Sequence, residues 1–264
     1  MIIDRGGRAL IKATWSSYLQ YRSFFFVLAF GWMIPPLIYL FVWSTAAKEN
    51  LSIGLNSGTF ITYYLVLILV NQFTYAQTNW TVGDLIRLGM LNYHLVRPMR
   101  FIYQVLADEV AGKVVFMVFV VPFSIILAIV LKPELNASLN QILLFLISLS
   151  LAWWLRFLWG LWLALLAFWA TKADSLLAIQ DALTFIFAGV VAPVALLPDI
   201  LNKLAVYLPF RYMVGFPVEI LTGQVQGNAL IEGLIVQILW LALATTLSLV
   251  IWKSGVRRYS AIGG

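Results

Sequence analysis

Residues 110–131 read VAGKVVFMVFVVPFSIILAIVL, and Lys113 and Ser124 are the only members of that run with polar side chains. A helix needs roughly 20 apolar residues to cross about 30 Å of hydrocarbon, so Val110–Leu131 is long enough to span. Inside lipid every backbone N–H and C=O must find a partner within the chain, which makes such a run a helix. Working outward, five more runs share its character: Ser23–Thr45, Thr59–Asn79, Gln141–Ala170, Leu176–Leu197 and Ala229–Trp252. A membrane barrel would instead show alternating segments of about ten residues, and the chain has none. The expected fold is an all-α integral membrane protein with six transmembrane helices, forming one domain over residues 1–264.

Composition agrees. Hydrophobic residues make up 62% of the chain and charged residues 11%, with a mean hydropathy of +0.94; soluble domains run near a quarter charged. The cations set an expected orientation, because cytoplasmic loops retain Lys and Arg. Twelve of the 17 lie before the first run, between the second and third, between the fourth and fifth, or after the last, and four lie on the other side. Both termini are therefore expected in the cytoplasm, in a multi-pass protein of the cytoplasmic (inner) membrane. The net charge of +6 is a topology signal spread over four segments, and it argues against a nucleic-acid partner. With no cysteine, disulfides, thiolate chemistry and thiolate-bound metals are excluded. The first apolar run exceeds the roughly 7–15 residues of a signal-peptide core, so no cleaved leader is expected.

Three connecting segments carry information. Residues 1–22 suggest an amphipathic interfacial helix: Arg8, Lys12, Ser16 and Gln20 recur every four residues, opposite Leu10, Ile11, Trp15, Tyr18 and Leu19. It either anchors the chain or transmits motion. Residues 80–109 form the longest cytoplasmic loop, opening on Thr81-Val82-Gly83-Asp84, which reads as a capping box. A short helix is expected from there to Met90, ahead of Pro98, which holds Arg97 extended. Residues 189–223 break an apolar run at Gly189, Pro193 and Pro198, give an apolar helix from Asp199 to Leu208, and continue through Pro209, Pro217 and Gly223. A helix of about ten residues covers about 15 Å, half a bilayer, so this region is expected to be a re-entrant or surface-lying hairpin before the last span.

In this order and placement the features resemble the permease subunits of type-2 ABC exporters, specifically their small six-span branch. The residues that carry the resemblance are the basic N-terminal helix, Thr81–Met90 with Leu95-Val96-Arg97-Pro98, and Gly189, Pro193, Pro198, Leu208-Pro209-Phe210, Pro217 and Gly223. The resemblance implies two ABC ATPase subunits and a second permease half, identical or related, in contact with membrane lipids. It implies that Thr81, Gly83, Asp84, Leu85, Arg87, Leu88 and Met90 form the ATPase-coupling helix, and that Gly189–Gly223 closes the exit as an outer re-entrant hinge. It also implies an amphiphilic or hydrophobic cargo: a lipid, glycan, peptide or drug. No segment matches G-x-x-x-x-G-K-[ST], the phosphate-cradling loop; that absence fits a permease subunit and equally a transporter that never uses ATP. It is the resemblance that implies ATP and Mg in a partner chain, with no catalytic residue, cofactor or metal site expected here.

Two charges fall inside runs. Arg156 lies near the middle of Gln141–Ala170, where a cation is costly and faces the bundle interior; were the helix to begin near Ser150, it would snorkel past Trp153 and Trp154. It is open to an ion-pair role or to contact with an anionic headgroup. Asp181 is an intramembrane carboxylate about 10 Å from Arg156 along the bundle, suited to a helix–helix polar contact. His94, the only histidine, cannot build a metal site alone. Asp108 and Glu109 sit at a span's start, where acids suit a helix N-terminus. A secondary transporter or channel would show a second, mirrored broken helix, and a lipid-modifying enzyme would show an acid–base or metal constellation. The chain shows neither.

Overall fold

In a computed structural model, residues 5–20, 22–49, 55–170 and 174–259 are described, and among them there are twelve α-helices and no strand. They are α1 (Arg5–Gln20), α2 (Arg22–Lys48), α3 (Ser57–Thr74), α4 (Thr78–Arg87), α5 (Leu91–Leu95) and α6 (Phe101–Leu131), followed by α7 (Leu139–Leu165), α8 (Asp174–Phe187), α9 (Asp199–Tyr207), α10 (Pro209–Met213), α11 (Gly215–Leu221) and α12 (Gly227–Val256). Five segments are long and apolar enough to cross a membrane: Phe26–Lys48, Ser57–Arg87, Phe101–Leu131, Leu139–Phe168 and Gly227–Val256.

The remaining expected span, Leu176–Leu197, is helical only as far as Phe187 in the 14-residue α8. Gly189 then turns the chain with φ +80°, and Pro193 leads into a single 3₁₀ turn at Val194–Leu196. Apolar character continues past the helix because this backbone is buried: Ala188, Val190, Ala192 and Val194 are all enclosed. Its polar groups are met by side chains from elsewhere. Tyr63 Oη donates to the Gly189 carbonyl (3.0 Å), while Tyr64 Oη (3.0 Å) and Trp43 Nε1 (2.8 Å) both donate to Val191.

Helices α2 and α6 run parallel, with Phe26 against Phe119 and Phe30 against Phe123, and α3 returns antiparallel to both. Helix α1 runs beside the first turns of α6: Thr14 donates to Asp108 at 2.8 Å and Tyr18 lies over Gly112. Its Arg8, Lys12, Ser16 and Gln20 stripe is exposed and Ile11, Trp15 and Tyr18 are half-buried, as the four-residue spacing requires. Helices α7 and α12 descend side by side, joined where Gln237 exchanges hydrogen bonds with Ser148 (3.1 and 3.0 Å). The last turns of α12 meet the first turn of α6, Trp252 stacking on Phe101 at 4.9 Å. The beginning of α1 and the end of α12 thus share one end of the bundle, called here the terminal end.

Two boundaries differ from expectation. Helix α6 begins at Phe101, so the last part of the 80–109 loop is already the foot of a span. Helix α7 begins at Leu139 under a capping box of Ser138 and Gln141, which places Arg156 seventeen residues in, about 26 Å along the helix.

Candidate functional site

The second apolar run is one rod interrupted at Tyr75–Gln77, and this break organises the terminal half of the molecule. Interrupting a helix exposes carbonyls on one side and amides on the other, which carry partial negative and positive charge respectively. Neighbouring helices supply the matching charges. On the carbonyl side, Lys113 Nζ donates to the Tyr75 carbonyl at 2.7 Å. Arg156 Nη1 donates to the Asn71 carbonyl (3.3 Å), Asn71 Oδ1 (2.8 Å) and Thr74 Oγ1 (3.1 Å), with its guanidinium 5.2 Å from the Tyr75 ring. On the amide side, the Glu109 carboxylate accepts from the Thr78 hydroxyl at 2.8 Å, beside the exposed amides of the first turn of α4.

Glu109 therefore caps α4 from another helix, whereas the sequence pattern assigned that cap to Thr81 and Asp84. The difference has a local cause. Helix α4 starts one turn earlier, at Thr78, with Gln77 giving no side-chain cap. Thr81 is consequently interior and its hydroxyl bonds back to the Gln77 carbonyl at 3.2 Å, a regular habit of threonine within helices. Asp84 instead pairs with Arg87 at 2.5 Å. The helix ends at Arg87, so Leu88 is its C-terminal cap and Met90 lies beyond the Gly89 turn (φ +71°), capping α5.

Helix α4 has two faces. Thr78, Asn79, Val82, Gly83 and Ile86 are buried, with the Asn79 backbone against Gly160 of α7. Thr81, Asp84 and Leu88 form an exposed stripe with Leu85 and Arg87 half-buried beside it, and Leu88 is 64% exposed. Gly83 is buried, unlike the other residues expected to couple, and the Arg87 side chain lies over it. Nearby, burial together with the Asp108 and Glu109 carboxylates pushes the Tyr18 phenol up to about 12, so it remains a neutral donor. The sequence reading gave Glu109 only a place at a helix start and Lys113 only a place in an apolar run; one turn apart in a helix that begins at Phe101, they form a pair facing the break.

At the other end, α9–α11 fold as a hairpin against α3, α7 and α12. Tyr212 gives its carbonyl to Gln237 Nε2 (2.9 Å) and Tyr207 gives its own to Trp240 Nε1 (3.0 Å). These partners lie about 15 and 20 Å along α12 from its start. Pro198 precedes α9, Pro209 opens α10 and Pro217 lies in the first turn of α11. Gly223 (φ +73°) closes α11, with Gly223 N–H on Ile220 and Gln224 N–H on Glu219, the paired bonds of a Schellman motif. Arg211 and Glu219, their side chains nearly enclosed, form a bidentate pair at 2.6 and 3.0 Å. Helix α9 is the exception: Ile200, Leu204 and Tyr207 are exposed.

Asp181 does not reach Arg156. It accepts from Gln180 at 3.0 Å and stands exposed on α8 among exposed Leu176, Ile179, Phe185 and Ile186. Among the described residues no group of three or more His, Cys, Asp or Glu could hold a metal ion.

Five long apolar segments, and no strand among the described residues, define a multi-pass all-α membrane protein. A family model described as ABC-2 family transporter protein matches residues 33–263. The chain belongs to that family, and is a membrane permease component of an ABC transporter. Permeases of this kind work with ATPase subunits. No curated protein and no solved structure matches the chain.

Proposed function

We propose that this chain is one half of an ATP-driven exporter of the cytoplasmic membrane, with the terminal end cytoplasmic and the α9–α11 hairpin in the outer half. Two ATPase subunits, which bind ATP and Mg, dock on the terminal end against the Thr81–Asp84–Leu88 stripe. The observation that carries this reading is the mounting of α4. One face is buried in the bundle and packed on α7, the other is exposed at the terminal end; its origin is held by Glu109 of α6, and the end of α3 just before it by Lys113 of α6 and Arg156 of α7. A push on the stripe is therefore delivered to α6 and α7 together.

A second half, identical or related, covers the open face of α8. An exposed carboxylate on an apolar membrane helix is costly against lipid and is placed toward protein or a water-filled path, which fits Asp181 at the boundary between halves. The path between halves leads to the hairpin, where Gly189, Pro193, Pro198, Pro209, Pro217 and Gly223 allow the chain to fold back, and the cargo is an amphiphilic or hydrophobic solute.

The test is Asp84→Lys and Leu88→Asp, singly, in the full chain. Each is expected to lower recovery of a P-loop ATPase with the purified chain by about tenfold, on the order of 1.4 kcal/mol, without changing its insertion or thermal stability. Unchanged recovery contradicts the docking assignment.

A further inference from the structure

At the terminal end an apolar groove of about 600 Å³ opens between the foot of α6, α7 and α12. Its walls include Leu158, Leu161 and Leu165 of α7, and Thr245, Leu249 and Trp252 of α12. The polar atoms lining those walls are already occupied. Ser248 Oγ donates to the Leu158 and Ala244 carbonyls (3.1 and 2.8 Å), and Thr245 Oγ1 donates to Leu241 (2.7 Å). Each hydroxyl has spent its single donor on the backbone, so the walls offer a phosphate no donor and an alkyl chain is the filling that costs least in lost solvation. From Trp252, placed where interfacial tryptophans sit, to Thr245 is about 10 Å along α12, much of one leaflet of hydrocarbon.

The mouth has the opposite chemistry. Arg97 and Arg100 line it, both exposed, and among the described residues no carboxylate forms an ion pair with either. Their arm is built rather than loose. Gln104, 2% exposed, donates from Nε2 to the His94 and Met99 carbonyls (both 3.1 Å), and its Oε1 meets Arg97 Nη1 at 3.3 Å and His94 Nδ1 at 2.9 Å. Pro98 restricts the backbone between the two arginines. Arg97, tethered through Gln104, and the neighbouring Arg100 above an apolar, leaflet-deep slot match an anionic headgroup carrying an acyl chain.

We infer that this groove is a binding site for an anionic phospholipid of the leaflet at the terminal end, its phosphate between Arg97 and Arg100 and one acyl chain between α7 and α12. The site lies away from the open face of α8, so its occupant is a resident lipid and not the cargo on its path. That the groove holds a lipid rests only on the chain spanning a membrane; that this lipid is resident rests on the proposed path at α8, and neither depends on the docking of α4.

The full chain is placed in nanodiscs of equal phosphatidylglycerol and phosphatidylcholine, extracted in mild detergent, and the retained lipid quantified by mass spectrometry. Wild type is expected to retain phosphatidylglycerol in preference to phosphatidylcholine. Arg97→Gln and Arg100→Gln are each expected to lower that preference by about fivefold, the factor for one cation near a charged surface. Leu161→Trp, which fills the slot, is expected to lower retention with both arginines intact, and a melting curve identifies the variant as folded. Lys253→Gln with Arg257→Gln, at the neighbouring basic end of α12, is expected to leave the preference unchanged. Glycerol phosphate is expected to compete poorly. Equal retention in the arginine variants, an equal loss in the Lys253/Arg257 variant, or full displacement by glycerol phosphate each overturns the proposal. The first shows no site, the second general surface charge, and the third a phosphate site without a chain. Loss of the preference only when a P-loop ATPase is removed also overturns it, since an acidic protein segment would then be the occupant.

Discussion

Arg156 shows what one residue in the sequence can and cannot tell. A lone cation in an apolar run announces that something polar faces it, and that much was legible. Its partners were not, because Asn71 and Thr74 are neutral and one of the acceptors is a main-chain carbonyl. The same limit hid Glu109, whose role as a cap exists only once α6 has been laid against the start of α4. Replacing Glu109 by Ala removes a cap and strands the Thr78 hydroxyl, and is expected to cost about 1–2 kcal/mol, read as a lower melting temperature; Glu109→Gln keeps an acceptor oxygen and is expected to cost less. Gly189 is a second case. Its φ of +80° disfavours any L side chain, and a Cβ there would meet Tyr63 Oη at 2.2 Å. Gly189→Ala is expected to destabilise by at least about 1–2 kcal/mol. Adding Tyr63→Phe removes the clash and is expected to restore part of that loss but not the backbone component. Full restoration in a melting experiment would show that the backbone conformation contributes nothing.

For the elements, hydropathy located every long helix but misjudged where several of them stop. Apolar runs report burial, and buried backbone need not be helical when side chains such as Tyr63, Tyr64 and Trp43 serve its carbonyls. That is why Leu176–Leu197 reads as a full span although α8 ends at Phe187. The start of α4 was misplaced for the converse reason: a Thr-x-x-Asp pattern fits a cap locally, and only the carboxylate of α6 decides which turn comes first. The open face of α8 gives the prediction proper to this scale. Since the chain has no cysteine, Ile179→Cys is a clean reporter. In a homodimer it is expected to give an oxidant-dependent cross-link between halves, while Leu249→Cys, on the exposed side of α12, is expected to give none. Cross-linking at Leu249 alone would place the second half on the wrong face.

At the scale of the molecule, the broad class was readable from composition and run length, since lipid leaves a continuous polypeptide so few ways to satisfy its backbone. The order of segments carried the family resemblance, and the family match over residues 33–263 agrees with it. What no run length contains is the mechanical relation of the parts. One end gathers the start of α1, the end of α12, the exposed stripe of α4 and the three charges at the helix break; the other gathers a proline-rich hairpin reaching about 20 Å along α12. That division of labour underlies the idea of force applied at the terminal end and passage released at the hairpin.

A photo-reactive amino acid introduced at Leu88 or at Ile200 in the full chain, activated in intact native membranes, tests the relation most directly. The account predicts an adduct between the Leu88 probe and a P-loop ATPase, and no such adduct from Ile200. An ATPase adduct at Ile200, or none at Leu88 while transport continues, would contradict it.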